Sequence, residues 1–380
     1  MSGASMFNET QKWTTFVKSS LPEIRVGLIS HITWANLSAA CIAVAIVIAM
    51  GEPKSVGGNA SYLLLLWAGI RIAPKSIGNK KLLAVLAIIP VSAAIAIPLT
   101  IWSGREIGAT GVLTVLTIGL FPLYFLDNVE RVFYALIPFW YLEAALMAKQ
   151  WFTTDIWRVG GFAQNQNAAS AFLLLGVIFL VTHPRLKWFS LPLIAAMPFG
   201  GSRWVAVVAA LILGFIFLSR HINWKYLAVG VTVTAATVVG LQHSEVGIAY
   251  RIIGGGEYLP ATEETVRVIR SDAWWRLTPG VKLIDPTMLV PLGFLRDSQL
   301  HNVPIRMVVE TGLLSGLAWL GLGGYALWRE PRLTQAWWMM LAVGLLSVMY
   351  YHTWIGPLGA FWWILMAMLA KPATASKPSN

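Results

Sequence analysis

The side chains best suited to chemistry in this sequence are a set of arginines and one histidine. Arg158, Arg203, Arg251, Arg267, Arg270 and Arg276 carry the planar guanidinium fork that matches phosphate oxygens, so an anionic ligand is the first chemistry to weigh. Pairing at helical spacing accounts for two of them: Arg267 has Glu263 four residues before it, and Arg276 has Asp272. Arg270 has Val266 behind it and Trp274 ahead, so no carboxylate lies one turn away. Positions 267, 270 and 274 share a helical face, which makes Arg270 the anion ligand of this segment and Trp274 a neighbouring apolar or sugar-stacking surface. Arg203 follows Gly200-Gly201-Ser202 at the start of an apolar run. Backbone N–H groups and the positive dipole end at such a start reinforce an arginine aimed at phosphate, and the small residues let a ligand approach the backbone. For each arginine the alternative is a local pair or a snorkelling contact with lipid phosphate.

His301 and Asn302 close the same long segment, and a neutral imidazole is the commonest general base near pH 7, although a histidine at an interface is more often structural. The stretch Arg158-Val-Gly-Gly-Phe-Ala-Gln-Asn-Gln-Asn167 offers glycines and the amides of Asn165 and Asn167 to polar hydroxyls, as an ordinary turn also would. The remaining histidines, His31, His183, His221, His243 and His352, show no metal-ligand spacing, and Cys41 has no partner. There is no P-loop and no Asp-x-Asp pair, so neither a metal nor a cofactor is expected.

What must position these residues is set by composition. Hydrophobic residues make up 57% of the chain and charged residues 12%, against about 25% charged in soluble domains. With 19 Trp and a mean hydropathy of +0.67, the bilayer is the expected solvent. The expectation is an all-α polytopic membrane protein forming one integral-membrane domain over residues 1–380, with about twelve transmembrane helices. Apolar runs place them near 33–50, 60–74, 82–102, 108–126, 132–148, 168–182, 188–200, 204–219, 225–241, 303–328, 335–351 and 354–370. Residues 1–32 read as a cytoplasmic tail with an interfacial helix, and 371–380 as a second cytoplasmic tail. About thirty mixed residues precede the first apolar run, so no cleavable leader is expected.

Lysine and arginine fix the orientation. With the N-terminus cytoplasmic, that side receives Lys12, Lys18, Arg25, Arg71, Lys75, Lys80, Lys81, Arg131, Arg185, Lys187, Arg220, Lys225, Arg329, Arg332, Lys371 and Lys377. The opposite short loops hold only Lys54, Arg105, Lys149, Arg158 and Arg203. The net charge of +11 is thereby explained by topology and by contact with membrane lipids, and no nucleic acid is expected as a partner. Segment 242–302 becomes a long periplasmic loop containing short helices, one starting near Thr262 with Glu263 and Glu264 in its first turn. The span interiors are almost free of charge, with Arg306 and Glu310 the main exceptions.

Arg158-to-Asn167 before a span, Gly-Ser-Arg203 opening a later one, Arg270-x-x-x-Trp274 in the long loop, and His301-Asn302 followed by Glu310-Thr-Gly-Leu-Leu-Ser-Gly316 resemble the O-antigen ligase and O-antigen polymerase superfamily. The motifs follow the family's order over residues 155–330, while the first half matches only as generic spans. The resemblance implies a membrane glycosyltransferase of the GT-C type in the bacterial inner membrane. Its donor would be an undecaprenyl-diphosphate-linked glycan, and its acceptor a glycan or the lipid A core at the periplasmic face. Outer-face arginines then hold the diphosphate and a loop histidine beside asparagine activates the acceptor hydroxyl, roles carried here to Arg203, Arg270 and His301. Arg158, Asn165, Asn167, Trp274 and Asn302 would contact the substrates. One departure is that residues 162–167 lack the proline that the family more often has between its asparagines. The competing readings are a polymerase joining lipid-linked repeats, a structural membrane subunit, and a transporter or flippase of lipid-linked sugar. The last would need charged or broken helices at the bilayer midplane.

Overall fold

The computed structural model describes residues 34–51, 80–102, 129–153, 159–183, 185–219, 222–243, 303–329, 334–348 and 357–370. Among these the protein is all-α, with no strand. In chain order the helices are α1 (Trp34–Gly51), α2 (Lys80–Trp102), α3 (Val129–Thr153), α4 (Gln166–Thr182), α5 (Leu191–Ala196), α6 (Arg203–Leu218), α7 (Trp224–His243), α8 (Val303–Thr311), α9 (Leu313–Arg329), α10 (Gln335–Ser347) and α11 (Pro357–Ala370). The expected interfacial helix before residue 33, the spans near 60–74 and 108–126, the loop from residue 244 to 302 and the tail 371–380 lie outside the described residues.

Helix α4 is the centre of the bundle. Its sequence is apolar all round, and every residue from Ala168 to Val181 is buried, as expected of a helix enclosed by others rather than one with a single core-facing stripe. Gly176 lets α3 approach it: a Cβ there would lie 2.6 Å from Trp140 Cδ2. Phe133 of α3 stacks at 6.1 Å on Phe361 of α11, and Trp140 meets Phe172 and Phe179 of α4 at 5.9 and 5.6 Å. These rings fill the space between the helices, where close packing supplies the cohesion.

Contacts between helix ends fix their directions. The last turns of α3 meet the chain that leads into α4 through Gln150 and Gly161, while the first turns of α3 reach the end of α4 through Tyr134 and Phe179, 5.3 Å apart. Gln335 at the start of α10 donates to the Phe179 carbonyl at 2.6 Å, and Trp204 at the start of α6 donates to the Leu345 carbonyl near the end of α10 at 3.1 Å. The starts of α4 and α6 and the ends of α3 and α10 therefore share one end of the bundle. At the opposite end, burial and the neighbouring Arg185 hold the His183 imidazole below its ordinary pKa, and the ring stands edge-on to Tyr134.

Arg131–Thr153 in α3 is the one helix among the described residues that is by itself long and apolar enough to cross a membrane, and shorter apolar stretches of 10–17 residues lie in α1, α2, α4, α6, α9 and α10. Two expected spans are broken. The run near 188–200 is a relay of a 3-10 turn (Lys187–Ser190), the short α5 and a second 3-10 turn (Met197–Gly200). Pro192 and Pro198 stand in the first turns of the last two pieces, where a missing N–H is tolerated but an uninterrupted helix is not. The run near 303–328 divides at Gly312, whose φ of 96° closes α8 and reverses the chain into α9. A Cβ on Gly316 would lie 2.3 Å from Val308 Cγ2 and 3.4 Å from the Pro304 carbonyl oxygen, so α8 folds across the first turns of α9. In a continuous helix residues 304 and 316 would be about 18 Å apart.

The outward faces of several helices are apolar. On α6, Val207, Leu211, Phe215 and Leu218 are exposed along one stripe, on α2 Val91 and Ile95 are more than half exposed, and on α9 Leu314, Leu317 and Trp328 point away from the core. Scattered exposed hydrophobics are ordinary, but stripes repeated on separate helices are rare on a surface that faces water.

Candidate functional site

The end of the bundle that carries the starts of α4 and α6 brings together two of the motifs singled out in the sequence. Val159 donates its N–H to the Phe199 carbonyl at 3.3 Å, so the segment from Val159 to Asn165 lies against the turn that precedes α6. A Cβ on Gly200 would fall 2.1 Å from Ser170 Oγ and 2.8 Å from the Gln166 carbonyl oxygen, so that turn sits on the first turn of α4. Trp151 at the end of α3 stacks on Phe199 at 5.4 Å, backing the turn from the other side.

The two helix starts differ. Asn165 caps α4, its Oδ1 accepting the N–H groups of Asn167 and Ala168 at 3.0 and 3.1 Å. Its backbone is extended, after Gln164 has turned the chain with a φ of 52°. The amide expected to meet substrate is thus, through its oxygen, a capping group. Asn165→Ala is expected to lower stability by about 1 kcal/mol in thermal unfolding, while Asn165→Asp keeps the acceptor and the cap. Helix α6 has no such cap: the buried Ser202 makes no side-chain hydrogen bond to the turn it precedes. Gly201, in the left-handed conformation, brings the chain into Ser202 and then Arg203, the first residue of α6. The first N–H groups of an uncapped helix are donors in want of an acceptor, and the dipole makes an anion the favoured one.

The other expected site residues are not brought into this picture. Arg158, Arg270, Trp274, His301 and Asn302 lie outside the described residues, and for Arg203 only the backbone is described. Asn167 is half-buried in the first turn of α4, one turn from the Gly200 contact. Among the described residues no group of three or more His, Cys, Asp or Glu side chains could hold a metal ion. No family model, curated protein or solved structure matches the chain.

Sequence reasoning passed over the group that supports this end from below. Glu143, in the middle of α3 and fully buried, accepts the Phe162 N–H on Oε2 at 2.8 Å. Seven residues on, and on the same face, Gln150 accepts the Gly161 N–H on Oε1 at 2.9 Å and donates from Nε2 to the Gly161 carbonyl at 3.0 Å. Gly161 has a φ of 55°, and a Cβ there would lie 2.2 Å from Glu143 Oε2, so only glycine allows the carboxyl this approach. The signal that could have found it was plain: an acidic residue inside an otherwise apolar run.

Proposed function

We propose that the chain is a glycosyltransferase of the bacterial inner membrane, multi-pass with both termini cytoplasmic. It moves an undecaprenyl-diphosphate-linked oligosaccharide onto an acceptor glycan, the lipid A core, at the periplasmic face. The observation that carries this reading is the uncapped start of α6 at Gly201-Ser202-Arg203, packed beside the loop from Val159 to Asn165. An anion held there would be met by backbone donors and by the arginine at the first helical position. The apolar outward stripes of α2, α6 and α9 support a bilayer as the surrounding medium, and the charge asymmetry of the loops supports the orientation.

The chemistry needs no metal and no covalent intermediate. A lipid diphosphate is an activated leaving group, and Arg203 and Arg270 would stabilise the charge that develops on it as the sugar departs. The acceptor hydroxyl attacks the anomeric carbon from the opposite face while His301 takes its proton. The new glycosidic bond forms as the bond to the diphosphate breaks, the configuration inverts, and undecaprenyl diphosphate leaves. Purified protein in liposomes with the lipid-linked donor and lipid A core should yield the coupled glycan. A strain deleted for the chain should lose every O-antigen band above the core. A single-repeat band remaining in that strain would instead assign the polymerase reaction.

The break at Gly312 is the feature that favours a transporter of lipid-linked sugar, since such proteins bind substrate at unwound midplane segments. Its backbone counts against that use. The Gly312 N–H donates to the Val308 carbonyl at 3.0 Å and the Gly316 N–H to the Gly312 carbonyl at 3.2 Å, so both backbone groups of Gly312 are engaged within the chain. Flipping of a fluorescent lipid-linked sugar by the reconstituted protein, without transfer, would decide for the transporter. The topology has its own test: a reporter fused at Gly280 is expected to be active only outside the cytoplasm, and a cytoplasmic signal would overturn every assigned site.

A further inference from the structure

We infer that Glu143 is a positioning residue for donor binding: with Gln150 it holds the loop from Val159 to Asn165 in the register that sets the α6 start against the lipid diphosphate. This rests on the transfer reaction proposed above and adds to it a residue from the bundle interior.

The geometry is that of a strut. Glu143 and Gln150 lie on one face of α3, both turned toward the loop, and between them they engage the N–H of Phe162 and both backbone groups of Gly161. Met147, between them on the same face, comes within 3.3 Å of a Cβ built on Gly200, so one helix face supports the loop and the turn together. The loop in turn holds the α6 start through the Val159 to Phe199 bond. A carboxyl in a buried apolar setting is costly, and among the described residues Glu143 Oε1 has no hydrogen-bond partner. A leucine would fill the same volume at lower cost, so a loop that needed only packing would not require a polar side chain here. The side-chain oxygen serves to accept the Phe162 N–H.

Donor KM, kcat and hydrogen exchange of residues 159–167 test this on purified full-length protein in liposomes. Glu143→Ala is expected to raise the donor KM by about ten-fold and leave kcat within about three-fold, because the lost hydrogen bond displaces the donor site but not the base. The same variant should speed exchange of the loop. Glu143→Gln keeps an acceptor for Phe162 and is expected to restore both readouts most of the way. A wild-type KM in Glu143→Ala, unchanged loop exchange in it, or a Glu143→Gln variant as impaired as alanine would each overturn the inference. Should the alanine variant not fold, Gly161→Ala displaces the loop from the other side of the same contact and must give the raised KM, with a wild-type KM again overturning it. Exchange also separates this idea from the reaction on which it rests. Faster loop exchange in a protein whose wild type transfers no glycan would leave the strut standing and remove the transferase reading.

Discussion

Replacing Arg203 or Arg270 by alanine is expected to abolish glycan transfer at an unchanged level of folded protein. Arg270 lacks a carboxylate at helical spacing, and Arg203 opens α6 where the backbone donors are uncapped. Each would therefore be committed to an anion rather than to a local pair. Loss of one preorganised donor to a developing oxyanion costs about 10²–10³-fold in rate, and two guanidinium groups on the same diphosphate are not redundant. Lysine at either position should rescue poorly, since a point charge lacks the fork that grips two oxygens. Arg276→Ala is the internal control. Asp272 stands four residues before it, at the spacing expected to give an ordinary surface pair worth only a few tenths of a kcal/mol, roughly, so transfer should be close to normal. Transfer rates for the three variants, normalised to protein in the membrane, decide the matter. Equal losses in all three would sink the argument from local pairing.

His301→Ala is expected to slow transfer by about 10²–10⁴-fold while the protein still binds the lipid diphosphate, because general-base assistance acts on the acceptor hydroxyl and not on the donor. The arginine variants should weaken donor binding as well, so donor affinity separates the two kinds of defect. The base must be neutral to accept a proton. Activity should therefore rise with pH as the imidazole deprotonates and level off once it is neutral. His183 lies at the end of the bundle away from the starts of α4 and α6, and burial together with Arg185 already favours its neutral form. His301→Gln keeps a hydrogen-bonding group without the proton acceptor and should be as slow as alanine. Near-normal transfer by that variant with an unchanged pH profile would reduce His301 to a positioning role.

How much of this was legible in the sequence varies by element. The all-α class followed from composition and from apolar runs of helical length. Helix α4 illustrates why: seventeen residues with no charge among them have nowhere to go except the inside of a bundle. The start of α6 was also legible, because two glycines and a serine ahead of an apolar run is a local signal for a helix N-terminus. The capping role of Asn165 was half legible, since asparagine suits both a cap and a ligand and only the two N–H groups donating to Oδ1 decide between them.

What the sequence alone determined, then, is which residues can form helices, where chain punctuation interrupts them and which charges are out of place. The division of 303–328 at Gly312 was decided by tertiary structure, for a glycine within an apolar run is tolerated in a helix as readily as it ends one. Only the packing of Val308 and Pro304 against Gly316 makes the reversal the better solution. The same holds for the site. That the 159–165 loop and the 200–203 turn lie side by side depends on the antiparallel packing of α3 against α4, which brings Trp151 to Phe199 and Val159 to the Phe199 carbonyl. The place of Glu143 beneath that loop depends on a glycine eighteen residues away having a positive φ. Local propensity acts over a turn or two of helix, whereas these contacts join residues whose separation along the chain carries no periodic signal, so it took the packed bundle to bring them together.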